Sequence, residues 1–139
     1  MGANIGYYAI MEAKMTGPTG TVIGVEPSPA NVDLLRKNIA LNGLDNVTVL
    51  GGAVSDVQGA RDLFVSAFSN LNTFHPTADA HYGLSDRTIS VTTHTIPSLA
   101  ATHGTPDLIR MDVEGHEVEI MNGMLPGIEA GTLSPDIIF

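Results

Sequence analysis

The chain has 139 residues, enough for a single domain over 1–139, and its 43% hydrophobic and 15% charged content excludes a chain that is disordered through high charge and low apolarity. Fifteen acidic against six basic residues leave a net charge of −9, which disfavours binding of nucleic acid or anionic lipid through a basic surface. Cysteine is absent, which excludes disulfides and thiolate chemistry, and no apolar run reaches the ~20 residues of a membrane span, so we expect a cytoplasmic protein.

Helices and short apolar strands alternate in the first half of the chain. Residues 4–15 predict a mostly buried helix, because apolar side chains occupy more than one of its faces. Residues 21–25 and 47–50 are short apolar runs without clean alternation, as in strands buried on both faces of a sheet. Between them we predict a helix with Ser28 as its N-cap that ends at Gly43. Helices between apolar strands indicate crossover units and a parallel sheet with helices on its faces.

A long polar segment opens the second half. We predict a short strand over 62–66 before it. Long loops in compact domains are often functional, so we expect either a lid over a site or an ordinary surface excursion. The polar residues of this loop are Ser69, Asn70, Asn72 and His75-Pro76.

The remaining elements return to the α/β pattern. Residues 88–96 alternate as in a half-exposed strand, and a short helix is predicted over 97–103. Residues 107–113 predict a buried strand, and 135–139 another. Between these strands, the register of three apolar residues predicts a further helix; they are Val118, Met121 and Leu125.

Candidate binding residues follow the predicted strands, since ligands of open parallel sheets bind beyond the carboxyl ends of the strands. The turn Gly2-Ala3-Asn4-Ile5-Gly6 opens a helix and would let a ligand approach the backbone, although such turns also occur for structural reasons alone. Glu26 lies twenty residues beyond Gly6, the spacing at which an acid meets ribose hydroxyls; the alternative is a helix cap or a solvated charge. Ser55 and Asp56 follow the third strand, where Asp56 would bond an adenine amino group or form an Asx turn.

A cluster of ionisable residues follows the strand over 107–113. Asp112, Glu114 and His116 alternate, so an extended segment would put them on one face, whereas a helix beginning at Gly115 would splay them. Crowded acids raise at least one carboxyl pKa, which favours catalysis or metal binding; the alternative is a helix N-terminus that carries acids for its dipole. The other histidines lack metal-ligand spacing, so we assign them to surface or loop contacts and predict no metal site; they are His75, His81, His94 and His103.

Five motifs occur in this order along the chain: residues 2–8, 25–29, 38–42, 53–56 and 109–117. Together they resemble the FkbM family of S-adenosylmethionine-dependent methyltransferases over nearly the whole chain. The last motif is the most distinctive, with Arg110 where the family usually has lysine. The resemblance implies an α/β, Rossmann-like class I methyltransferase sheet with helices on both faces. It also implies O-methylation of a small-molecule or sugar hydroxyl.

The resemblance further implies a role for each motif. Glu26 would hold the ribose of S-adenosylmethionine, and Ser55 and Asp56 would lie near its adenine. The methyl-transfer site would contain Asp112, Glu114 and His116, with His116 or Asp112 as the base and Glu114 orienting acceptor or base. The residues expected beside the methionine part of the cofactor are Gly2, Asn4, Gly6 and Tyr7.

Two departures from the family leave alternatives open. The family has an apolar strand before the glycine turn, where this chain has Met1, and Phe139 precedes the last strands of the full sheet. We therefore expect a fragment that lacks its first central strand and its last strands, whose unpaired edges would favour a homo-oligomer. The alternatives are a nicotinamide-dependent oxidoreductase, which Gly-x-x-x-Gly spacing disfavours, and a non-catalytic domain that acts through its sheet edges.

Overall fold

The computed structural model describes residues 1–66, 72–75 and 84–139, and in these ranges helices and strands alternate along most of the chain. The chain divides into two compact units, Gly2–Gly52 and Met1 with Ala53–Phe139. The helices are α1 (Tyr7–Thr16), α2 (Pro29–Leu41), α3 (Ile96–His103) and α4 (Glu117–Glu129). The strands are β1 (Val22–Glu26), β2 (Val47–Gly51), β3 (Ala53–Val54), β4 (Gly59–Ser66), β5 (Leu84–His94), β6 (Leu108–Arg110) and β7 (Asp136–Ile138).

The unit Gly2–Gly52 contains the parallel pair β1 and β2, with α2 as the crossover between them. This confirms the predicted parallel pairing of the two apolar runs. The core of the unit joins Ala9 of α1 to Leu35 and Ile39 of α2. At the N-terminus of α2, Ser28 occupies the N-cap as predicted, but its side chain makes no capping hydrogen bond.

The first helix buries only a narrow stripe of small side chains. Ala9 and Ala13 are buried, whereas Tyr7 is 72% exposed and Met15 is also exposed. The prediction of a mostly buried helix is therefore wrong, because only one face of the helix, with the two alanines and the half-buried Ile10, meets the core. The helix begins at Tyr7, later than predicted, since the residues before it form a turn with left-handed backbone.

In the second unit, β3, β5 and β4 form a three-stranded sheet in that order. β3 runs parallel to β5, and β4 runs antiparallel to it. The half-exposed strand is confirmed, because Val91 and Thr93 are buried while the alternating residues Ser90 and Thr92 are exposed. β4 begins at Gly59, earlier than predicted, because backbone pairing with β5 extends through residues with no apolar signal.

The parallel strands β6 and β7 form a third sheet, with α4 as their crossover. β6 is shorter than predicted because it pairs with β7 over Leu108–Arg110 only. α4 buries Ile120 and Met124, while Val118 and Leu125 are exposed. The predicted helix is confirmed, but its predicted apolar face is not the one that packs.

The α/β class is therefore confirmed for the described ranges, with strands that form three small sheets of two, three and two strands. A single Rossmann-like sheet stays a prediction. Within the described residues, none of the helices has the length and apolarity needed to cross a membrane. Of the polar loop, residues 67–71 and 76–83 lie outside the described residues, including Ser69, Asn70, Pro76 and His81.

Candidate active site

Glu26 ends β1 with a buried carboxylate that is only 4% exposed. Its Oε2 accepts a hydrogen bond from the backbone N–H of Asn4 at 2.9 Å. Its Oε1 accepts from the backbone N–H of Ser28 at 3.0 Å and from Nδ2 of Asn31 at 3.1 Å. Three donors thus satisfy a charge that would otherwise be costly to bury, and Glu26 ties the glycine turn to the start of α2.

The glycine turn before α1 is held by backbone bonds and by left-handed residues. The N–H of Ala3 donates to the carbonyl of Val25 at 3.0 Å, which continues the edge of β1. Asn4 has a φ of 49° and Gly6 a φ of 100°. A Cβ on Gly6 would lie 2.5 Å from Cδ1 of Leu35, a fully buried core residue. Gly6 therefore has a packing role, which is the structural alternative that the sequence left open.

Asn4 also carries a buried polar atom without a partner. Its Oδ1 is the buried side-chain acceptor that makes no hydrogen bond within the described residues. The N–H of the same residue donates to Glu26, so this acceptor belongs to the same turn as the buried carboxylate. Buried polar atoms almost always have a partner, so this acceptor is open to a hydrogen from a water, an ion's hydration shell or a ligand.

In the second unit, His116 lies at the N-cap of α4 and is only 1% exposed. Its Nε2 lies 3.0 Å from Oγ of Ser55, and its Nδ1 lies 3.0 Å from Nε2 of His75. The Ser55 hydroxyl donates its single hydrogen to Oδ1 of Asp56 at 2.9 Å. The network therefore assigns the His116 proton to Nε2, as donor to Ser55, and leaves Nδ1 as an acceptor.

These hydrogen bonds and the burial shift two pKa values. Burial lowers the pKa of His116, against the opposing charge of Glu119, so the neutral ring is favoured. The hydroxyl of Ser55 lowers the pKa of the exposed Asp56 carboxyl by stabilising its charged form. The sequence placed Ser55 and Asp56 in one group and His116 in another, and the structure joins them in one chain of hydrogen bonds.

Thr73 positions His75 beside His116. Its backbone forms two hydrogen bonds with Phe64 of β4, at 3.0 and 3.2 Å. Its Oγ1 donates to the carbonyl of Glu114 at 2.9 Å and accepts from the N–H of His75 at 3.0 Å. One threonine thus fastens the loop over 72–75 both to β4 and to the turn before α4.

Aromatic and charged neighbours surround this histidine pair. The ring of Phe74 lies 4.7 Å from the His116 ring, and the guanidinium of Arg61 lies 4.8 Å above the Phe74 ring. Glu119, in the first turn of α4, places Oε1 3.1 Å from Nε2 of His75 and Oε2 3.6 Å from Nδ1 of His116. Sequence reasoning missed both His75 and Glu119, because only the fold brings residue 75 to the N-terminus of α4.

The turn over residues 112–117, called the acidic turn below, separates the three alternating residues of the last motif. Glu114 and Gly115 have positive φ values of 52° and 89°, and the chain turns there into α4. Asp112 and Glu114 are consequently exposed while His116 is buried, so they do not share a face. Oε1 of Glu117 accepts from the N–H of Val113 at 3.2 Å and closes the turn.

Desolvation and, after it, the charge crowding expected from the sequence raise one carboxyl pKa in this turn. The pKa of Glu114 is raised, first by desolvation and then by the negative charges of Asp112 and Glu117. Glu114 therefore holds a proton more readily than an isolated glutamate, and it does so at the surface of its unit.

Each unit thus brings together part of the predicted site. Glu26 and Asn4 are joined in Gly2–Gly52, with Asn31 as a partner that sequence reasoning missed. Gly2 has a φ of 69° in the same turn, and Tyr7 starts α1 with an exposed side chain. The members joined in the second unit are Ser55, Asp56, His116, His75 and Glu119.

Comparison with known proteins adds a family to this geometry. A family model described as the Methyltransferase FkbM domain matches residues 1–138, essentially the whole chain. No curated protein and no solved structure matches the chain.

Proposed function

The chain belongs to the FkbM family of methyltransferases, and we propose that it uses S-adenosylmethionine to methylate a hydroxyl group of a small molecule or sugar. When bound, this cofactor would supply a methyl group to an acceptor oxygen, which would bond to the methyl carbon as the carbon–sulfur bond breaks and S-adenosylhomocysteine leaves. The observation that carries the proposal is the buried Glu26 carboxylate at the end of β1, bonded to the turn that contains Asn4.

The residues at this turn fit a nucleoside ligand. A carboxylate has about four lone-pair sites, and protein donors occupy three of them on Glu26, which leaves one for a ribose hydroxyl. The unpartnered Oδ1 of Asn4 supplies a second acceptor in the same turn. We infer that Glu26 and Asn4 would hold the ribose, with the hydroxyl hydrogens donated to the two side chains.

We assign the activation of the acceptor hydroxyl to the acidic turn. Asp112 and Glu114 are exposed, so their carboxylates would be able to accept the proton that a bound hydroxyl group loses. The raised pKa of Glu114 makes it a stronger base than an ordinary glutamate carboxylate. His116 is a positioning residue here, because it is buried and both of its ring nitrogens already bond to protein atoms.

Calorimetric binding of S-adenosylhomocysteine, the demethylated product, tests the cofactor half of the proposal. We expect binding by the native chain and a loss of roughly 10–100-fold in affinity for Glu26→Gln, which matches one charge-assisted hydrogen bond of about 1.5–3 kcal/mol. Asp33→Asn is the matched control, since Asp33 is an exposed acid of α2, and its affinity should equal the native value.

Two results would overturn the proposal. Native protein that is folded but takes up neither S-adenosylmethionine nor its product would refute cofactor use. Uptake of a nicotinamide dinucleotide in place of both, seen by saturation-transfer NMR, would favour the oxidoreductase. Transfer of labelled methyl to a panel of hydroxylated small molecules then tests the acceptor half, and label on nitrogen or carbon only would contradict O-methylation.

A further inference from the structure

We propose that His75, His116 and Glu119 form a binding site for one divalent transition-metal ion, with zinc as the best match. Their potential ligand atoms all lie within 4.8 Å of one another, and all three residues belong to the same compact unit. The proposal does not depend on methyl transfer, because its test measures metal binding directly.

The distances among the ligand atoms agree with first-row metal coordination. Nε2 of His75 lies 3.0 Å from Nδ1 of His116 and 3.1 Å from Oε1 of Glu119. Nδ1 of His116 lies 3.6 Å from Oε2 of Glu119. Metal-ligand bonds of about 2.0–2.1 Å in a tetrahedral site separate neighbouring ligand atoms by about 3.3 Å. Each of these three pairs, in which Glu119 contacts the two histidines through different carboxylate oxygens, therefore lies close to the spacing that a single ion would impose.

The positions of the protons and lone pairs in this cluster favour a bound cation. Nδ1 of His116 carries no proton in the assigned network, so it and Oε2 of Glu119 face each other with lone pairs. The one N–H of His75 at Nε2 is shared between Nδ1 of His116 and Oε1 of Glu119. An ion would satisfy all three residues at once, once His75 carries its proton on Nδ1 instead.

The groups behind the ligands orient them as in known metal sites. Metal-bound histidines usually donate their second ring N–H to an oxygen, and Nε2 of His116 faces Oγ of Ser55 at 3.0 Å. Ser55 in turn donates to Asp56, and Thr73 holds the backbone of His75. These contacts fix the ring of His116 so that Nδ1 points at the other two ligands.

The ligand set also indicates which ion is bound and what it would offer. Two histidines and one glutamate are a zinc set when a fourth position is left for water or substrate, whereas magnesium prefers oxygen ligands alone. The His75 and Glu119 side chains are 38% and 29% exposed, against 1% for His116. The open position would therefore face the side of the site that solvent reaches.

Titration of tag-free, chelator-treated protein with cobalt(II) and zinc(II) tests the site. We expect one equivalent of metal by elemental analysis, visible cobalt bands of a four- or five-coordinate ion, and their displacement by zinc but not by magnesium. His75→Ala and Glu119→Gln should each weaken binding by at least the roughly 10–100-fold that loss of an outer-shell partner typically causes.

Matched controls lie in the same unit. His103→Ala removes an exposed histidine at the end of α3, and Glu129→Gln removes an exposed glutamate at the end of α4. Both variants should bind zinc with native affinity. Ser55→Ala should weaken binding by about 10-fold, because it removes only the partner of the His116 ring.

The proposal is overturned if folded His75→Ala or Glu119→Gln, checked by circular dichroism, binds zinc as tightly as the native chain. Displacement of cobalt by magnesium would overturn it as well, since that would place the ion on the acidic turn. Should either variant unfold, Glu119→Asp keeps the charge but retracts the carboxylate by one methylene, and native zinc affinity in that variant would also contradict the site.

Discussion

Glu26 shows how one buried acid organises its surroundings at the residue scale. We expect Glu26→Ala to lower the free energy of unfolding by about 1–3 kcal/mol or more, because the N–H groups of Asn4 and Ser28 and the amide of Asn31 lose their acceptor. Urea unfolding followed by circular dichroism measures the change. The control is Asp33→Ala, an exposed acid whose ion pair with Arg36 spans 3.9 Å, which should change stability by less than about 0.5 kcal/mol. Equal losses in the two variants would mean that these hydrogen bonds contribute nothing net.

The hydrogen-bonded carboxylate of Asp56 should make the stability of the folded protein depend on pH. Its folded pKa lies below the usual 3.8 because Ser55 donates to it, so the unfolded chain binds the proton more readily. The resulting stabilisation is present above pH 3.8 and is lost as the pH falls through the folded pKa. Asp56→Asn should therefore destabilise the protein at pH 6 by less than about 1 kcal/mol, since solvent screens the group, and have less effect as the pH falls below 3.8. A pH-dependent effect of Asp56→Asn that persists in a Ser55→Ala background would contradict the assigned cause.

The order of residues was enough to identify Glu26 but not its partners. An acid at the end of an apolar strand after a glycine turn is a local signal, and the structure places Glu26 there. His75 has no such signal, because it lies 41 positions before His116 and is held near it by the hydrogen bonds of Thr73 to Phe64 and to Glu114. Residue type and spacing predict sites on one segment better than sites assembled from several.

At the scale of elements, Gly6 couples the glycine turn to α2. The Cβ of an alanine at Gly6 would lie 2.5 Å from Cδ1 of Leu35, and the residue would have to keep a φ of 100°. Gly17 also has a positive φ, of 71°, but a Cβ added there would have no atom within 4 Å. Gly17→Ala should lose about 1–2 kcal/mol of stability from backbone strain alone. Gly6→Ala should lose about 1–3 kcal/mol more, from overpacking against the core. Equal losses in urea unfolding would mean that Leu35 moves aside at no cost.

Helix and strand types were predictable from periodicity, whereas the faces that pack and the ends were not. The apolar register of α4 pointed to Val118 and Leu125, yet Ile120 and Met124 are the buried pair. In an apolar helix several faces fit the periodicity, and tertiary packing selects among them. β6 ended earlier than predicted because its pairing with β7 covers only three residues, and an apolar run does not show how much of it will find a partner.

For the whole molecule, the order of motifs predicted the family, which the match over residues 1–138 confirms. The sheet arrangement was less accessible to prediction. Parallel pairing of β1 with β2 follows from one crossover helix, but β4 pairs antiparallel with β5 through residues such as Gly59 and Ala60 that have no strand signal. Such pairing depends on contacts between distant segments, which a reading of local pattern does not contain.

The net charge of −9 predicts that added salt stabilises the folded chain. Fifteen acids face only six basic residues, so mutual repulsion among surface carboxylates opposes folding, and salt screens it over a Debye length of about 10 Å at 0.1 M. Raising sodium chloride from roughly 10 to 300 mM at pH 7.5 should raise the melting temperature by a few degrees, roughly 3 °C for each kcal/mol. A double variant, Asp45→Asn with Glu129→Gln, removes two exposed acids and should respond less to salt while starting from a higher melting temperature. A melting temperature that falls with salt would show that ion pairs such as Asp33 with Arg36 outweigh the repulsion, and the surface would then be stabilised by its charges.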